Sequence, residues 1–204
     1  MIKEFVSKHF IIKGFQKPKD GNIESGDDYL VIEESDYCLC VMVDGLGSGK
    51  GAKKAASAIV QAVNSHHEES LLEIMNRCNE AVRYQRGAVM SLFKYFYQTK
   101  KVEYSSVGNV RLVFIFPDGT LIRPIPVPGY LSGRIQTFKM QSFQLRSNVK
   151  FLFYSDGLQA PRLTKGIIER IKSSSIGMGD FLYPFVNENM HTRDDLTLLV
   201  GTFK

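Results

Sequence analysis

The chain has 204 residues, of which 44% are hydrophobic and 23% are charged, and this composition excludes a largely disordered chain, a collagen-like chain and a coiled coil. The length suffices to bury the core of one domain, which we expect to span residues 1–204. The formal net charge of +5 is small, and the basic residues are dispersed without an RNA-binding pattern, so we expect no nucleic-acid partner.

The sequence shows neither a membrane-spanning segment nor a secretion signal. No run approaches the roughly 18 apolar residues that a spanning helix needs, and charged residues interrupt the apolar residues at the N-terminus. Three cysteines cannot all pair internally, so we expect free thiols buried in the core. These features predict a cytoplasmic protein that does not contact a membrane.

The first part of the chain reads as strands followed by two helices. A strand up to about Phe15 and a loop over 16–26 precede two further strands, near 29–33 and 37–43. The second of these strands is apolar on both faces, which indicates burial on both sides. Helical periodicity then predicts helices over 52–63 and 69–84.

The second part is rich in short strands. The patterns predict strands at 88–97, 102–107, 111–116, 120–123, 150–154 and 196–201, and helices at 165–172 and 179–188. The turns at 98–100, 108–109 and 117–119 are short, so we expect the strands that they join to be antiparallel neighbours. This order favours antiparallel sheets with helices packed outside over a doubly wound parallel sheet.

Aspartates stand at the ends of several predicted strands. They are Asp27, Asp44, Asp156, Asp194 and Asp195. A single Asp before Gly is most often only a turn residue. As a set, however, these carboxylates would repel one another if the sheets brought them together, and a divalent cation would relieve that repulsion. Because no histidine or cysteine has the spacing of a zinc site, the oxygen ligands favour Mg²⁺ or Mn²⁺.

The glycine-rich run at 45–52 follows a strand and opens a helix, which is where phosphate-binding loops lie. It is not a Walker A loop, because Gly51 stands where Ser or Thr should follow Lys50. It matches a dinucleotide-binding fingerprint loosely, but no second parallel strand follows the helix. A nucleotide-binding protein therefore remains an alternative at this point.

Four motifs occur in an order typical of one enzyme family: 43–49 (VDGLGSG), 106–111 (SVGNVR), 154–158 (YSDGL) and 193–197 (RDDLT). Together they resemble the metal-dependent protein serine/threonine phosphatases of type 2C, in the bacterial branch related to the sporulation stage II E phosphatase. Further segments, such as 129–133 (GYLSG), are similar to the stand-alone phosphatases of the stressosome pathway. The resemblance implies an α+β fold, a four-layer α-β-β-α sandwich with two central antiparallel sheets flanked by helix pairs.

The resemblance also implies a metal site. Asp44 would bridge two divalent cations, Mn²⁺ or Mg²⁺, and the Gly45 carbonyl, Asp156 and Asp194 would complete the protein ligands. Asp27 would lie near the metal, which the family's acidic group at this position often contacts through water. Asp195 would lie next to the ligands without contacting the metal directly. Hydrolysis would proceed by in-line attack of activated water on phosphorus, without a phosphoenzyme.

Two positions depart from the pattern of the larger family members. Leu46 occupies the position of their histidine, the general acid expected to protonate the leaving group. No arginine lies in 20–26, where those members hold the phosphate. The phosphate could therefore be held by the metals alone, or with assistance from Lys50 or Arg193.

The implied function is a monomeric phosphoserine/phosphothreonine protein phosphatase. Its partners would be phosphorylated stressosome scaffold proteins, and it would act as negative feedback on the general stress sigma factor B. The alternative is a catalytically silent phosphoprotein-binding module of the same fold. For docking we consider 124–134 (PIPVPGYLSGR), where Tyr130 and Leu131 offer apolar contacts beside Arg134, although a rigid connector without a partner is the simpler interpretation.

Overall fold

The computed structural model describes residues 2–158, 161–174 and 194–204. The strands in these residues are β1 Ile2–Val6, β2 Phe10–Lys17, β3 Asp27–Glu33, β4 Tyr37–Gly45, β5 Ala88–Phe96, β6 Lys101–Val107, β7 Arg111–Ile115, β8 Leu121–Ile122, β9 Met140–Gln144, β10 Lys150–Tyr154 and β11 Leu196–Phe203. The helices in the same residues are α1 Lys50–His66, α2 Leu71–Ala81 and α3 Pro161–Ser173.

The strands form two antiparallel sheets. One has six strands in the order β1-β2-β11-β10-β7-β8, and the other has five in the order β3-β4-β5-β6-β9. The sheets face each other across an aromatic core, in which the ring centroids of Phe93 on β5 and Phe151 on β10 are 5.4 Å apart. Burial of this shared apolar face explains why the two sheets stack.

Helices cover the outer faces. Apolar residues of α1 and α2, such as Ile59 and Ile74, pack against the five-stranded sheet. On the other side Ile167, Ile168 and Ile171 of α3 pack against the six-stranded sheet. The predicted α-β-β-α sandwich is thereby confirmed, while the helix predicted at 179–188 lies outside the described residues.

Strand β4 shows how the sequence dictates this layering. Every residue of 37–43 is buried. Leu39 and Val41 belong to the core beneath the helices, whereas Cys40 and Met42 belong to the core between the sheets. Because alternate side chains point to opposite faces, a strand buried on both sides must be apolar throughout.

The N-terminal prediction of one strand is wrong. Residues 2–17 form the hairpin β1–β2, with Ile2 opposite Phe15. The connection at Ser7-Lys8-His9 contains neither Gly nor Pro, and Ser7 closes it by accepting a hydrogen bond from the His9 N–H at 3.0 Å. Without Gly or Pro, this chain reversal is difficult to recognise from the sequence.

The short turn at 108–109 also has a different role from the one expected. Strand β6 belongs to the five-stranded sheet and β7 to the six-stranded sheet, so this turn carries the chain from one sheet to the other. Gly108 has a φ of +98°, and a Cβ there would overlap the side chain of Val89. The other two short turns join antiparallel neighbours, as expected.

Strand β9 was not predicted. Its side chains alternate between exposed and half-buried positions, and among the described strands it pairs with β6 alone, at the sheet edge. Helix α2 begins at Leu71 rather than 69 because Ser70 caps it. The Ser70 hydroxyl accepts a hydrogen bond from the Glu73 N–H, and the Glu73 carboxylate accepts one from the Ser70 N–H at 3.0 Å.

All three cysteines are buried and free, as predicted. Burial raises the pKa of the Cys78 thiol and that of Cys40, so both are held in the protonated form. Among the described residues, no helix is both long and apolar enough to cross a membrane.

Candidate metal centre

The ends of several strands from both sheets meet at one edge of the sandwich. Asp27 and Asp44 lie directly opposite each other in the β3–β4 ladder. Asp156 follows β10 and Asp194 precedes β11, the neighbouring strands of the other sheet. A cleft of about 710 Å³ opens here, and Asp44, Asp156 and Asp194 all line it. The predicted convergence of these carboxylates is therefore observed.

The backbone around Gly45 is held tightly. Its N–H donates to the carbonyl of Gly26 at 3.2 Å, and the Leu46 N–H donates to the carbonyl of Gly87 at 3.0 Å. A Cβ on Gly45 would overlap the backbone carbonyl of Ala52 in the first turns of α1. Only glycine allows β4 to end this close to the helix.

Asp27 is almost fully buried at the bottom of the cluster, with 1% of its surface exposed. Its Oδ2 atom has no hydrogen-bond partner among the described residues. Burial raises the pKa of Asp27 to about 7, and hydrogen bonds from the hydroxyls of Ser155 and Thr197 only partly offset that shift. A buried carboxylate oxygen without a partner is suited to contact a cation or its water.

Asp44 lies close to several other carboxylates of the cluster. Burial raises its pKa to about 8, and repulsion from Asp27, Asp156 and Asp194 adds to the shift. Burial and Asp194 likewise raise the pKa of Asp156. In the metal-free protein this cluster therefore retains protons at neutral pH, whereas a divalent cation would stabilise the ionised form.

The carboxylates do not form a closed cage. In the described part of the chain, no group of three or more acidic, histidine or cysteine side chains is placed to hold a metal ion by itself. Mg²⁺ characteristically keeps several waters and takes only one or two carboxylates. The donors present, which are carboxylate oxygens around an open cleft, fit such a partly hydrated ion.

Asp195 supports the site through the backbone. Its Oδ1 accepts a hydrogen bond from the Lys19 N–H at 2.8 Å, and its Oδ2 accepts one from the Gly26 N–H at 2.7 Å. Both carboxylate oxygens are thus engaged with the loop that leads into β3. Asp195 therefore fixes the position of Asp27, the residue that follows Gly26.

Two cations, Lys50 and Arg193, were considered for phosphate binding. Lys50 is exposed at the first residue of α1 and does not line the cleft. Arg193 lies outside the described residues. Leu46, which replaces the family histidine, lines the cleft and packs against the core between the sheets.

Two residues in and just after the turn between the sheets complete the cleft, and sequence reasoning assigned no role to either. The Asn109 Nδ2 donates to Asp156 Oδ2 at 2.9 Å, and its buried Oδ1 has no partner among the described residues. Arg111 places a cation in the lining. Both belong to the 106–111 motif, which was used only for the resemblance.

The glycine-rich run is not an open phosphate cradle. A Cβ on Gly51 would lie 2.8 Å from Arg86 Nε, so the Arg86 side chain already covers this turn. Strand β5, which follows α2, pairs antiparallel with β4. The parallel crossover of a dinucleotide-binding unit is therefore absent, and the nucleotide-binding alternative loses its structural basis.

The segment 123–139 forms one wall of the cleft through Ile125, Pro126, Pro128 and Gly129. Leu131 exchanges two backbone hydrogen bonds with Ala88, at 2.8 and 3.2 Å. Its side chain is fully buried, so the expectation that Leu131 offers an exposed apolar contact is wrong.

Asn79 of α2 anchors the same segment. Its Nδ2 donates to the Arg134 carbonyl at 2.7 Å, and its Oδ1 accepts from the N–H groups of Ser132 and Gly133 at 3.1 and 3.0 Å. Tyr130 is 48% exposed, and its ring packs over Gly87. The segment therefore presents its exposed side chains from a fixed backbone.

A comparison with known families assigns the chain. The family model described as stage II sporulation protein E (SpoIIE) matches residues 34–204. The chain belongs to the SpoIIE family. Phosphoserine phosphatase RsbX of Bacillus subtilis (strain 168) is 30% identical to this SpoIIE-family member over 201 residues, which are 98% of each chain.

Solved structures agree with this SpoIIE-family assignment. A crystal structure of RsbX in complex with magnesium superposes with a TM-score of 0.91, at 30% identity and with both chains fully covered. The PP2C phosphatase domain of SpoIIE from Bacillus subtilis has a TM-score of 0.79 at 14% identity, covering 100% of this chain and 69% of that one. The second match shows the fold alone. Together the comparisons identify a protein serine/threonine phosphatase of the PP2C type.

Proposed function

We propose that this phosphatase removes phosphate from serine and threonine residues of stressosome scaffold proteins, and so acts as negative feedback on the general stress sigma factor B. Its similarity to RsbX along 98% of both chains supports the proposal. The observation that carries the chemistry is the convergence of Asp44, Asp156 and Asp194 in one cleft. The three free thiols suit a reducing compartment, so the proposed site of action is the cytoplasm.

In this proposal two divalent cations, Mg²⁺ or Mn²⁺, occupy the cleft. Asp44 and the Gly45 carbonyl, with Asp156 and Asp194, would hold them. When bound, the ions activate water for attack on phosphorus and offset the negative charge of the transition state.

The protein's own groups complete the site. Asn109 orients the Asp156 carboxylate through its hydrogen bond, and Asp195 fixes the loop before Asp27. Arg111 offers a guanidinium to the incoming phosphate or to the groups around it. With Leu46 in place of the histidine, the leaving group would take its proton from water or from another group.

The direct test is hydrolysis of a phosphorylated scaffold protein by metal-stripped enzyme. We expect activity to require added Mg²⁺ or Mn²⁺ and to be abolished by excess chelator. Full hydrolysis in chelator would refute the metal-dependent mechanism. Absence of hydrolysis with either metal, in a folded protein that still binds the phosphoprotein, would favour the silent binding module instead.

Metal affinity should rise with pH. Since the pKa of Asp44 in the metal-free protein is about 8 and that of Asp27 about 7, an ion that binds at pH 6 must displace protons, whereas at pH 8.5 it meets ionised carboxylates. We expect the affinity to increase roughly 10- to 100-fold over this range, as measured by calorimetric titration. A pH-independent affinity would contradict the ligand assignment.

The same shifts predict the stability of the metal-free protein. Both pKa values are raised above the unfolded value, so the contribution of these groups to stability is fully present at pH values below about 4. It is lost as the pH rises through 7 and 8. The increase in melting temperature on adding metal should therefore be larger at pH 8.5 than at pH 6.

Tyr130 should contribute to docking of the phosphoprotein. It is half-exposed on the anchored segment 123–139, which also carries the exposed Ile125 and Ile135. We expect Tyr130→Ala to lower kcat/KM roughly tenfold for a phosphorylated scaffold protein and to leave the hydrolysis of p-nitrophenyl phosphate unchanged. Val6→Ala, which truncates an exposed side chain on β1, is the control. Equal effects of Tyr130→Ala on both substrates would indicate that the segment has a structural role and does not dock the phosphoprotein.

A further inference from the structure

A second groove lies beside the metal cleft, between the outer face of the six-stranded sheet and α3. It has a volume of about 550 Å³. Leu121 and Ile168 contribute apolar surface to its lining, and Arg111, Arg123 and Lys165 contribute cations. Its size is within the range of grooves that accept a few side chains of a ligand.

The cations of this groove are not neutralised by any residue that the structure describes. All three side chains are exposed, and none forms an ion pair with a described residue. The groove contains one carboxylate, that of Glu169, whose Oε1 is bound to Lys172 Nζ at 3.1 Å. Among the described lining residues, three positive charges thus surround a groove whose one carboxylate is already engaged.

The groove adjoins the metal cleft, because one side chain, that of Arg111, lines both. Arg111 also lies directly opposite Tyr154 in the β7–β10 ladder, and Tyr154, which lines the groove, is two residues from Asp156. A chain whose phosphorylated residue entered the metal cleft could therefore extend past Arg111 into this groove.

We propose that the groove binds acidic side chains of the phosphoprotein substrate while the phosphorylated residue occupies the metal cleft, an inference that rests on the proposed function. Carboxylates are the complementary ligands for arginine and lysine, and arginine can bind them through two parallel hydrogen bonds. The half-buried Leu121 offers apolar surface to the aliphatic part of a glutamate side chain. The phosphatase thereby selects phosphorylated residues with acidic neighbours.

The test compares two phosphoserine peptides that differ only in having Glu or Gln at the positions flanking the phosphoserine. We expect kcat/KM to be about five- to tenfold higher for the Glu peptide, consistent with two or three exposed ion pairs. The Arg123→Ala, Lys165→Ala double variant should lose this preference and retain its activity on the Gln peptide. The preference of the wild type should also weaken at high salt.

The control is the Lys3→Ala, Lys8→Ala double variant. It removes the same charge from exposed positions in and just after β1, at the opposite edge of the same sheet. It should retain the preference. An unchanged preference in the Arg123→Ala, Lys165→Ala variant, equal losses in both double variants, or no preference in the wild type would overturn the inference.

Binding of the two peptides, measured by fluorescence anisotropy, separates this inference from the proposed function. If neither peptide nor any phosphoprotein is hydrolysed with metal present, the proposed function fails. The anisotropy measurement still tests whether the groove binds acidic side chains, because tighter binding of the Glu peptide that depends on Arg123 and Lys165 supports this inference. Equal binding of both peptides refutes it.

Discussion

Asp44→Asn should reduce turnover of a phosphoserine substrate by at least about 100-fold while the protein remains folded. Loss of an outer hydrogen-bond partner of a metal ligand already costs roughly 10- to 100-fold, and Asp44 is the residue proposed to contact both ions. Asp44 lies opposite Asp27 in the β3–β4 ladder and lines the cleft together with Asp156 and Asp194, and burial and repulsion from these carboxylates raise its pKa. The measurement is kcat at saturating metal, with circular dichroism to verify the fold.

The same substitution should stabilise the metal-free protein. Asparagine removes a carboxylate that must be ionised against its neighbours above pH 8, so the melting temperature without metal should rise at pH 8.5. Glu33→Gln, at the exposed far end of β3, is the matched control and should change neither quantity. A folded, metal-saturated Asp44→Asn variant with wild-type turnover would refute the assignment.

Gly45→Ala should lower the free energy of unfolding by about 3 kcal/mol, or prevent folding altogether. The new Cβ would overlap the backbone carbonyl of Ala52, and neither β4 nor α1 can shift without disturbing the core between them. Denaturant unfolding of the metal-free protein measures the effect.

Gly166→Ala provides the contrast to this substitution. Gly166 lies within α3, and a Cβ there meets no atom within 4 Å. Because alanine favours a helix over glycine, this variant should be more stable than the wild type by roughly 0.5–1 kcal/mol. Wild-type stability of Gly45→Ala would show that the close approach of β4 to α1 can relax.

The core of the fold was predictable because its signals are local. Strand β4 is apolar throughout, and the stripe from Ala52 to Val63 has helical spacing, so both elements follow from side-chain burial alone. The hairpin β1–β2 was missed because its turn has no Gly or Pro. Strand β9 was missed because an edge strand with one half-buried face carries few apolar residues.

The turn after β6 shows a second reason why strand pairing could not be predicted from local sequence patterns. A two- or three-residue connection normally joins antiparallel neighbours, yet Gly108 lets the chain step from one sheet to the other. The choice between these outcomes depends on which faces the two strands bury, which is a property of the whole sandwich.

The acidic residues of the site were predictable as a set but not in their separate environments. Position at a strand end identifies Asp44 and Asp156, whereas the pairing of Asp27 with Asp44 depends on the register of β3 and β4. The anchoring of residues 19–26 by Asp195 and the entry of Arg111 into the cleft require contacts between distant parts of the chain. No local pattern encodes such contacts.

The burial of all three cysteines makes the protein convenient for site-specific labelling. Cys38, Cys40 and Cys78 have no exposed surface, so a maleimide dye should leave the folded wild-type chain unlabelled. A single cysteine introduced at the fully exposed Ile135 would then carry the dye alone. Because Ile135 belongs to the same segment, 123–139, as the proposed docking residue Tyr130, the dye would report the arrival of a phosphoprotein in real time, without altering any native thiol.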